Sequence, residues 1–113
     1  MVKNLREKLS GIEFAVMTLH LKSRKGFEKI REGQVEQVVE LCKNFAARSS
    51  DYDYPMIITG DFNDTPDSKA LQKMFNFDKV ESVWGEQEPE FTTHRFRHET
   101  GMQTRTIDYM FYK

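Results

Sequence analysis

Cysteine, net charge and long apolar runs are all in short supply in this 113-residue sequence. The single cysteine, Cys42, excludes a disulfide framework and any cysteine-rich zinc site, and it fits a reducing compartment. A net charge of -1 provides no overall field to draw the chain onto nucleic acid or membrane, so an anionic substrate would have to be held by a local cluster. No apolar run is long enough to span a bilayer. Met1 to Ser10 is too charged for a secretory signal peptide, so a cytoplasmic or nuclear protein that does not engage membranes is expected. There is no internal repeat and no low-complexity tract. What remains is 38% apolar and 31% charged residues, enough for one core in a single small domain over 1–113.

The stretch Tyr54 to Ser68 organises the rest. It reads as a short apolar strand running into Gly60-Asp61-Phe62-Asn63, then a turn at Pro66, then a helix start. Strand alternation puts Met56, Ile58, Gly60 and Phe62 on one side and Ile57, Thr59, Asp61 and Asn63 on the other. Upstream, Lys3 to Ser10 is polar, with Leu5 and Leu9 at helical spacing, and reads as a short lead-in or a frayed end. Glu13 to Leu21 reads as a strand, with Phe14, Val16, Thr18 and His20 on one face. Both of its faces are mostly apolar, which predicts a central strand covered on each side.

Lys22 to Gly26 is a basic loop, and from Phe27 to Ala47 the period becomes helical. Val35, Val38, Val39, Cys42, Phe45 and Ala46 make one apolar stripe, opposite Glu28, Glu32, Glu36, Glu40 and Lys43. Cys42 therefore belongs to the core. Ser49 to Tyr54 is a turn-rich connection, and strand, helix and strand together predict a parallel, right-handed crossover. Asp67 or Ser68 is placed to cap a second helix burying Ala70, Leu71, Met74 and Phe75. Phe77 to Trp84 is ambiguous between strand and loop, and Gly85 to Glu90 is an acidic loop closed by Pro89. Phe91 to Arg97 and Arg105 to Tyr112 are predicted to form a hairpin joined across His98 to Thr104, with Gly101 at the turn.

Four positions carry candidate chemistry. Asp61 and Asn63 leave the end of a strand together, a carboxylate beside an amide, the pairing expected at a magnesium and phosphate site. The competing reading is a polar turn after a buried strand. Asp108 lies in an otherwise apolar strand and must be paired, either with a cation such as Arg105 or as an orienting carboxylate for a catalytic histidine. His20 closes its strand on the Thr18 face, followed by Lys22, Arg24 and Lys25, which either grip a phosphate or form an ordinary solvated loop. His94 and His98 have no metal-ligand spacing. Trp84, Phe91, Phe96, Tyr109, Phe111 and Tyr112 offer surfaces on which bases stack, but packing is the default for each.

Taken in order, Thr18-Leu19-His20-Leu21-Lys22, Gly60-Asp61-Phe62-Asn63, Pro66-Asp67-Ser68-Lys69-Ala70-Leu71 and Thr106-Ile107-Asp108-Tyr109 resemble the endonuclease/exonuclease/phosphatase superfamily. The runs His20 to Glu28, Phe91 to Arg95 and Arg105 to Tyr112 are similar to its carbon-catabolite-repressor deadenylase and nocturnin-like branch. The resemblance implies the C-terminal half of a deoxyribonuclease-I-like four-layer α/β sandwich, one mixed sheet with helices packed on one face. It implies an enzyme: a metal-dependent phosphodiesterase or nuclease-type hydrolase using magnesium, or manganese in its place. Asp61 and Asn63 would contact the metal, the attacking water and the scissile phosphate. His20 would donate to a phosphate oxygen, Asp108 would orient a later histidine, and Lys22 and Arg24 would hold substrate phosphates. The implied substrate is RNA, as for a deadenylase-like 3′ exonuclease, or a nucleotide phosphate.

The family's first half carries a metal-binding glutamate and an asparagine that no stretch here matches, and its closing Ser-Asp-His motif is absent. The expectation is a C-terminal lobe without its last strand, binding magnesium weakly and hydrolysing little by itself. Its open sheet face is expected to seek a second copy or a missing N-terminal lobe. The rival reading is a non-catalytic module that binds an anionic ligand or a partner lobe.

Overall fold

The computed structural model describes residues 1–47, 55–85 and 91–113. The expected connection over Ser49 to Tyr54 and most of the acidic loop after Gly85 lie outside the described residues.

Five strands form one mixed sheet. Val2–Arg6 (β1) pairs antiparallel with Glu13–His20 (β2), and β2 pairs parallel with Met56–Asp61 (β3). Asp108–Tyr112 (β7) pairs antiparallel with β3, and the two-residue Glu81–Ser82 (β4) closes the far edge, giving the order β1-β2-β3-β7-β4. A separate ribbon is made of Thr93–Arg97 (β5) and Gly101–Arg105 (β6). Glu28–Ala47 (α1) links β2 to β3, as a parallel pair requires of its crossover. Lys69–Phe75 (α2) follows β3, started by the Ser68 hydroxyl, which accepts the Leu71 amide at 3.1 Å.

One face of the sheet carries the core. Ala15 and Met17 of β2, Met56 and Ile58 of β3, and Tyr109 and Phe111 of β7 pack against Val35, Val38 and Cys42 of α1 and Ala70, Leu71 and Met74 of α2. Burial pushes the Cys42 thiol up to about 11, the state of an inert core residue. Lys73 Nζ lies 2.9 Å from the Glu36 carboxylate and ties the two helices together outside that core.

The other face is open, which corrects the expectation that β2 is covered on both sides. Thr18 is exposed, Phe14, Val16 and Ile57 are only half-buried, and Met110 and Tyr112 of β7 are exposed. The residues before Ser10 are a further correction: Val2–Arg6 is not a frayed end but an edge strand, which needs no apolar alternation when one face and one edge meet water. Register pairs Arg6 with Glu13, and their side chains form an ion pair. The turn that follows is held by Glu7, whose carboxylate accepts the Leu9 and Ser10 amides, contacts that with the Ser10 hydroxyl hold its pKa down to about 2.

The predicted hairpin is also re-paired. Thr93 to Arg97 pairs with Gly101 to Arg105 rather than with the last strand, and Asp108 to Tyr112 crosses into the main sheet. Phe91 and Phe96 are exposed, so packing is not their role, whereas Tyr109 and Phe111 are core and Trp84 is half-buried. The ambiguous stretch ending at Trp84 contributes only the short edge strand β4.

Candidate functional site

The Gly60-Asp61-Phe62-Asn63 run is shaped by two packing demands. Gly60 has φ 148°, and a Cβ built there would stand 2.0 Å from the Leu19 carbonyl oxygen, so only glycine lets β3 approach β2 this closely. Phe62 is fully buried, edge-on to Tyr109 at 5.4 Å and to Phe111 at 5.8 Å. With Phe62 driven into the core on one side, Asp61 is directed to the open face on the other.

Register then assembles the row. His20 is the cross-strand partner of Asp61, and Asp61 is the cross-strand partner of Asp108. Residues separated by 41 and 47 positions in sequence thus stand side by side on three adjacent strands. His20 is mostly exposed, with Nε2 3.7 Å from Asp61 Oδ2. Asp61 Oδ1 accepts the Asn63 backbone amide at 2.8 Å. Asp108 Oδ2 accepts the Thr93 hydroxyl at 3.0 Å, and the Thr92 hydroxyl oxygen accepts the Ile107 and Asp108 amides at 2.9 and 3.1 Å. The partner of Asp108 is therefore Thr93 and not Arg105.

Asn63 departs from simple alternation. The strand ends at Asp61, and Asn63 takes a left-handed turn at φ 52°, a region asparagine tolerates better than most residues. Its side-chain amide donates to the Leu21 carbonyl at 2.8 Å, which joins the end of β2 to the turn and leaves the amide oxygen outside that bond. Lys22 and Arg24 lie in the adjoining loop. The Lys22 backbone amide donates to the Gln34 side chain at 3.0 Å, and its ammonium sits 4.6 Å from the centre of the Phe27 ring. Arg24 is exposed with φ 82°. At the far end of that loop the Glu28 carboxylate is held below its usual pKa by the backbone amides of Glu28 itself and Gly26.

A recess lined by Thr59, Asp61, Trp84, Thr92, Asp108 and Met110 opens onto this row. Its donors are hard oxygens, the two carboxylates and the threonine hydroxyls, and Asn63 follows in the turn beyond Asp61. Among the described residues no group of three or more His, Cys, Asp or Glu gathers closely enough to hold a metal by itself. The set still suits magnesium, which takes one or two protein carboxylates and completes its shell with water and substrate phosphate. Neither His94 nor His98 reaches this region: both are exposed on the ribbon, where they stack edge-on against Phe91 and Phe96.

Thr93 escaped the reading of candidate residues, although Thr92-Thr93 belonged to one of the runs that carry the family resemblance. Arg31 and Asp64 escaped it as well. Arg31 Nε donates to Asp64 Oδ2 at 2.7 Å in a buried pair directly behind the turn. The one available signal was spacing, since Arg31 sits on the same helical stripe as Val35, Val38 and Cys42.

No family model matches the sequence. Nocturnin of Homo sapiens is 29% identical over 117 residues, covering 97% of this chain and 26% of that protein. Nocturnin of Drosophila melanogaster is 30% identical, covering 96% of this chain and 20% of that protein. The chain thus spans about a quarter or less of the curated relatives it matches. The human nocturnin catalytic domain, solved with a bound sulfate anion, superposes with a TM-score of 0.77 at 27% identity, over 98% of this chain and 39% of that one. A mannosyl-6-phosphatase of Bacteroides thetaiotaomicron superposes with the same TM-score, 0.77, at 19% identity, over 99% of this chain and 41% of that one, a likeness of fold alone. A mixed sheet with helices on one face, matched to these folds over nearly all its length, and a nocturnin-like sequence place this chain in the endonuclease/exonuclease/phosphatase superfamily, on its nocturnin-like branch.

Proposed function

We propose that this chain carries part of the active site of a divalent-cation-dependent phosphoester hydrolase. One observation carries the reading: His20, Asp61 and Asp108 occupy a single register row on the open face of the sheet. In it Asp61 and Asn63 hold magnesium, with manganese as a substitute. When bound, the cation offsets charge on a phosphoryl oxygen. The chain's own residues do the rest. His20, exposed at the strand end, donates to a phosphate oxygen. Lys22 and Arg24 hold a neighbouring phosphate of the substrate, and Asp108, restrained by Thr93, orients a histidine supplied from outside these residues. Family membership supports RNA, with 3′ exonuclease action of the deadenylase kind, or a nucleotide phosphate as the substrate class. The sulfate on the human nocturnin catalytic domain supports an anion-accepting surface in this branch.

The 113-residue chain by itself turns over little, because its open face is half of a site. A complementary lobe or a second copy covers the exposed apolar strip of Leu5, Met110 and Tyr112. A second reading, a binding module for anions, is favoured by the lack of a third gathered ligand among the described residues.

The experiment is a titration of the chain with pyrophosphate, with and without magnesium, followed by NMR at His20, Asp61 and Asp108, beside turnover assays on oligoadenylate and a dinucleotide phosphate. Magnesium-dependent shifts lost in Asp61→Ala are expected, with negligible turnover. Pyrophosphate binding that ignores both magnesium and Asp61→Ala would favour the module. Robust turnover abolished by Asp61→Ala would overturn the claim that the chain alone is inactive.

A further inference from the structure

The Arg31–Asp64 pair has no part in the chemistry assigned above. The two residues are 3% and 8% exposed, and burying a guanidinium and a carboxylate is costly unless their remaining donors and acceptors are met. Here they are met. Arg31 Nε donates to Asp64 Oδ2 at 2.7 Å, and Arg31 Nη1 donates to the carbonyl oxygens of Lys22 at 3.0 Å and Arg24 at 2.9 Å. Arg31 Nη2 lies 3.8 Å from the Glu28 carboxylate. Asp64 Oδ1 accepts the Thr65 amide at 3.1 Å, and the Asp64 carbonyl oxygen lies 2.9 Å from the Tyr109 hydroxyl. One guanidinium therefore joins α1, the loop after β2 and the turn after β3, and reaches β7 through the Asp64 backbone.

Well-packed apolar residues would fill this space at least as stably, so stability is a poor reason for the pair. What apolar side chains cannot do is hold two carbonyl groups at set positions. Arginine does so through its planar fork. The two segments it holds both pass through left-handed backbone, Arg24 at φ 82° and Asn63 at φ 52°, conformations that cost free energy outside glycine. The clamp takes hold at the carbonyl of Arg24 itself and one residue beyond Asn63.

We propose that Arg31 and Asp64 are a positioning pair: they hold the Lys22–Gly26 loop at a fixed distance from the Asp61–Asn63 turn, so that a phosphoryl group gripped by the loop meets the carboxylate row. The identity of that ligand rests on the phosphoester reading above; the clamp rests on its own hydrogen bonds.

The test uses the 113-residue chain and the variants Arg31→Lys, Arg24→Ala and their double. Lysine reaches Asp64 as a point charge but lacks the planar fork by which arginine spans Asp64 and both carbonyl groups from separate nitrogens. Amide ¹⁵N relaxation over Lys22–Gly26 is expected to show lost order in Arg31→Lys while the urea midpoint stays near that of the wild type. Pyrophosphate affinity should fall about tenfold, the scale of one charge-assisted hydrogen bond. Adding Arg24→Ala should bring less than the sum of the two single losses, because both act through one loop. Unchanged loop order in Arg31→Lys overturns the clamp. A wild-type chain that does not bind pyrophosphate removes the phosphoester reading, and the relaxation data still decide for or against the clamp. If Arg31→Lys fails to fold, Arg31→Met with Asp64→Leu, which removes the donors to both loop carbonyls without leaving an unpaired buried charge, provides the same comparison.

Discussion

Replacing Gly60 by alanine tests the claim that close approach of β3 to β2 builds the site. An added Cβ would stand 2.0 Å from the Leu19 carbonyl oxygen and 2.9 Å from the Leu19 carbonyl carbon and nitrogen, where ordinary contact begins at 3.4 Å. All three atoms are backbone, so no flexible side chain can move aside, and the strands themselves must separate. The φ of 148° adds a conformational cost. Strain of this kind is worth about 1–3 kcal/mol, and overpacking about 1–3 kcal/mol more, so a loss of about 4 kcal/mol is expected. At roughly 0.05–0.15 kcal/mol per residue, a chain of this size holds about 6–17 kcal/mol in all, so the substitution removes a large part of it. Urea unfolding read from Trp84 fluorescence measures the change. Gly33→Ala is the control: it lies inside α1 with nothing within 4 Å of an added Cβ, and should stabilise by about 0.5–1 kcal/mol. Gly60→Ala within about 0.5 kcal/mol of wild type would refute the reasoning. It would mean that the backbone gives way freely next to the His20 and Asp61 pair.

Three further outcomes follow from the same coordinates. Asp64→Ala should cost about 3 kcal/mol, the low end for breaking a buried pair because Arg31 keeps two carbonyl acceptors. Arg31→Met with Asp64→Leu should recover most of that, and a double variant less stable than Asp64→Ala alone would contradict it. Cys42 keeps its proton to about 11 when folded, against an ordinary 9.0, so stability from the buried thiol is complete below pH 9 and is lost as the pH rises towards 11. Near pH 9 iodoacetamide should label the native thiol roughly fifty-fold more slowly than the unfolded one, and equal rates would mean that Cys42 is not core. Finally, sedimentation should show concentration-dependent association that Met110→Lys reduces without lowering the melting temperature, whereas a monomer at all concentrations would show that the open face needs no cover.

Much of the architecture was legible before any coordinates. The β2–α1–β3 unit reads cleanly because apolar alternation gives way to a 3.6-residue stripe and then returns. The Ser68 cap and the burial of Ala70, Leu71 and Met74 follow from the same logic. The failures are physical as well. Val2–Arg6 carries no apolar period, because an edge strand with one wet face has little to bury. The last hairpin was mispaired because Gly101 opens β6 and does not sit in the middle of a long turn, and because nothing local marks the step by which Ile107 and Asp108 dock on Thr92. Arg31 was hidden by its charge. Its spacing assigns it to the buried stripe, but a guanidinium there makes sense only once Asp64 and two loop carbonyls are beside it.

The row itself breaks a rule of sheet pairing, and the way it does so bears on its role. Asp61 and Asp108 are direct cross-strand partners, and like charges so placed are destabilising. A strand pair selected for stability alone would put a β-branched or aromatic residue at one of these positions, as the next pair on the same face, Thr59 and Met110, does with its threonine. The sheet keeps both carboxylates by giving each its own donor: the Asn63 amide for Asp61, and the Thr93 hydroxyl for Asp108. Each donor comes from a different loop and leaves the second oxygen of its carboxylate free of that bond. Asp61 Oδ2 faces His20 at 3.7 Å, longer than a hydrogen bond. Two acidic groups held side by side, each restrained at one oxygen, form an arrangement whose repulsion a bound divalent cation would relieve. Local departures from consistent design concentrate where function requires them, and here the departure, the glycine contact that builds it and the clamped loop beside it converge on one end of one sheet face.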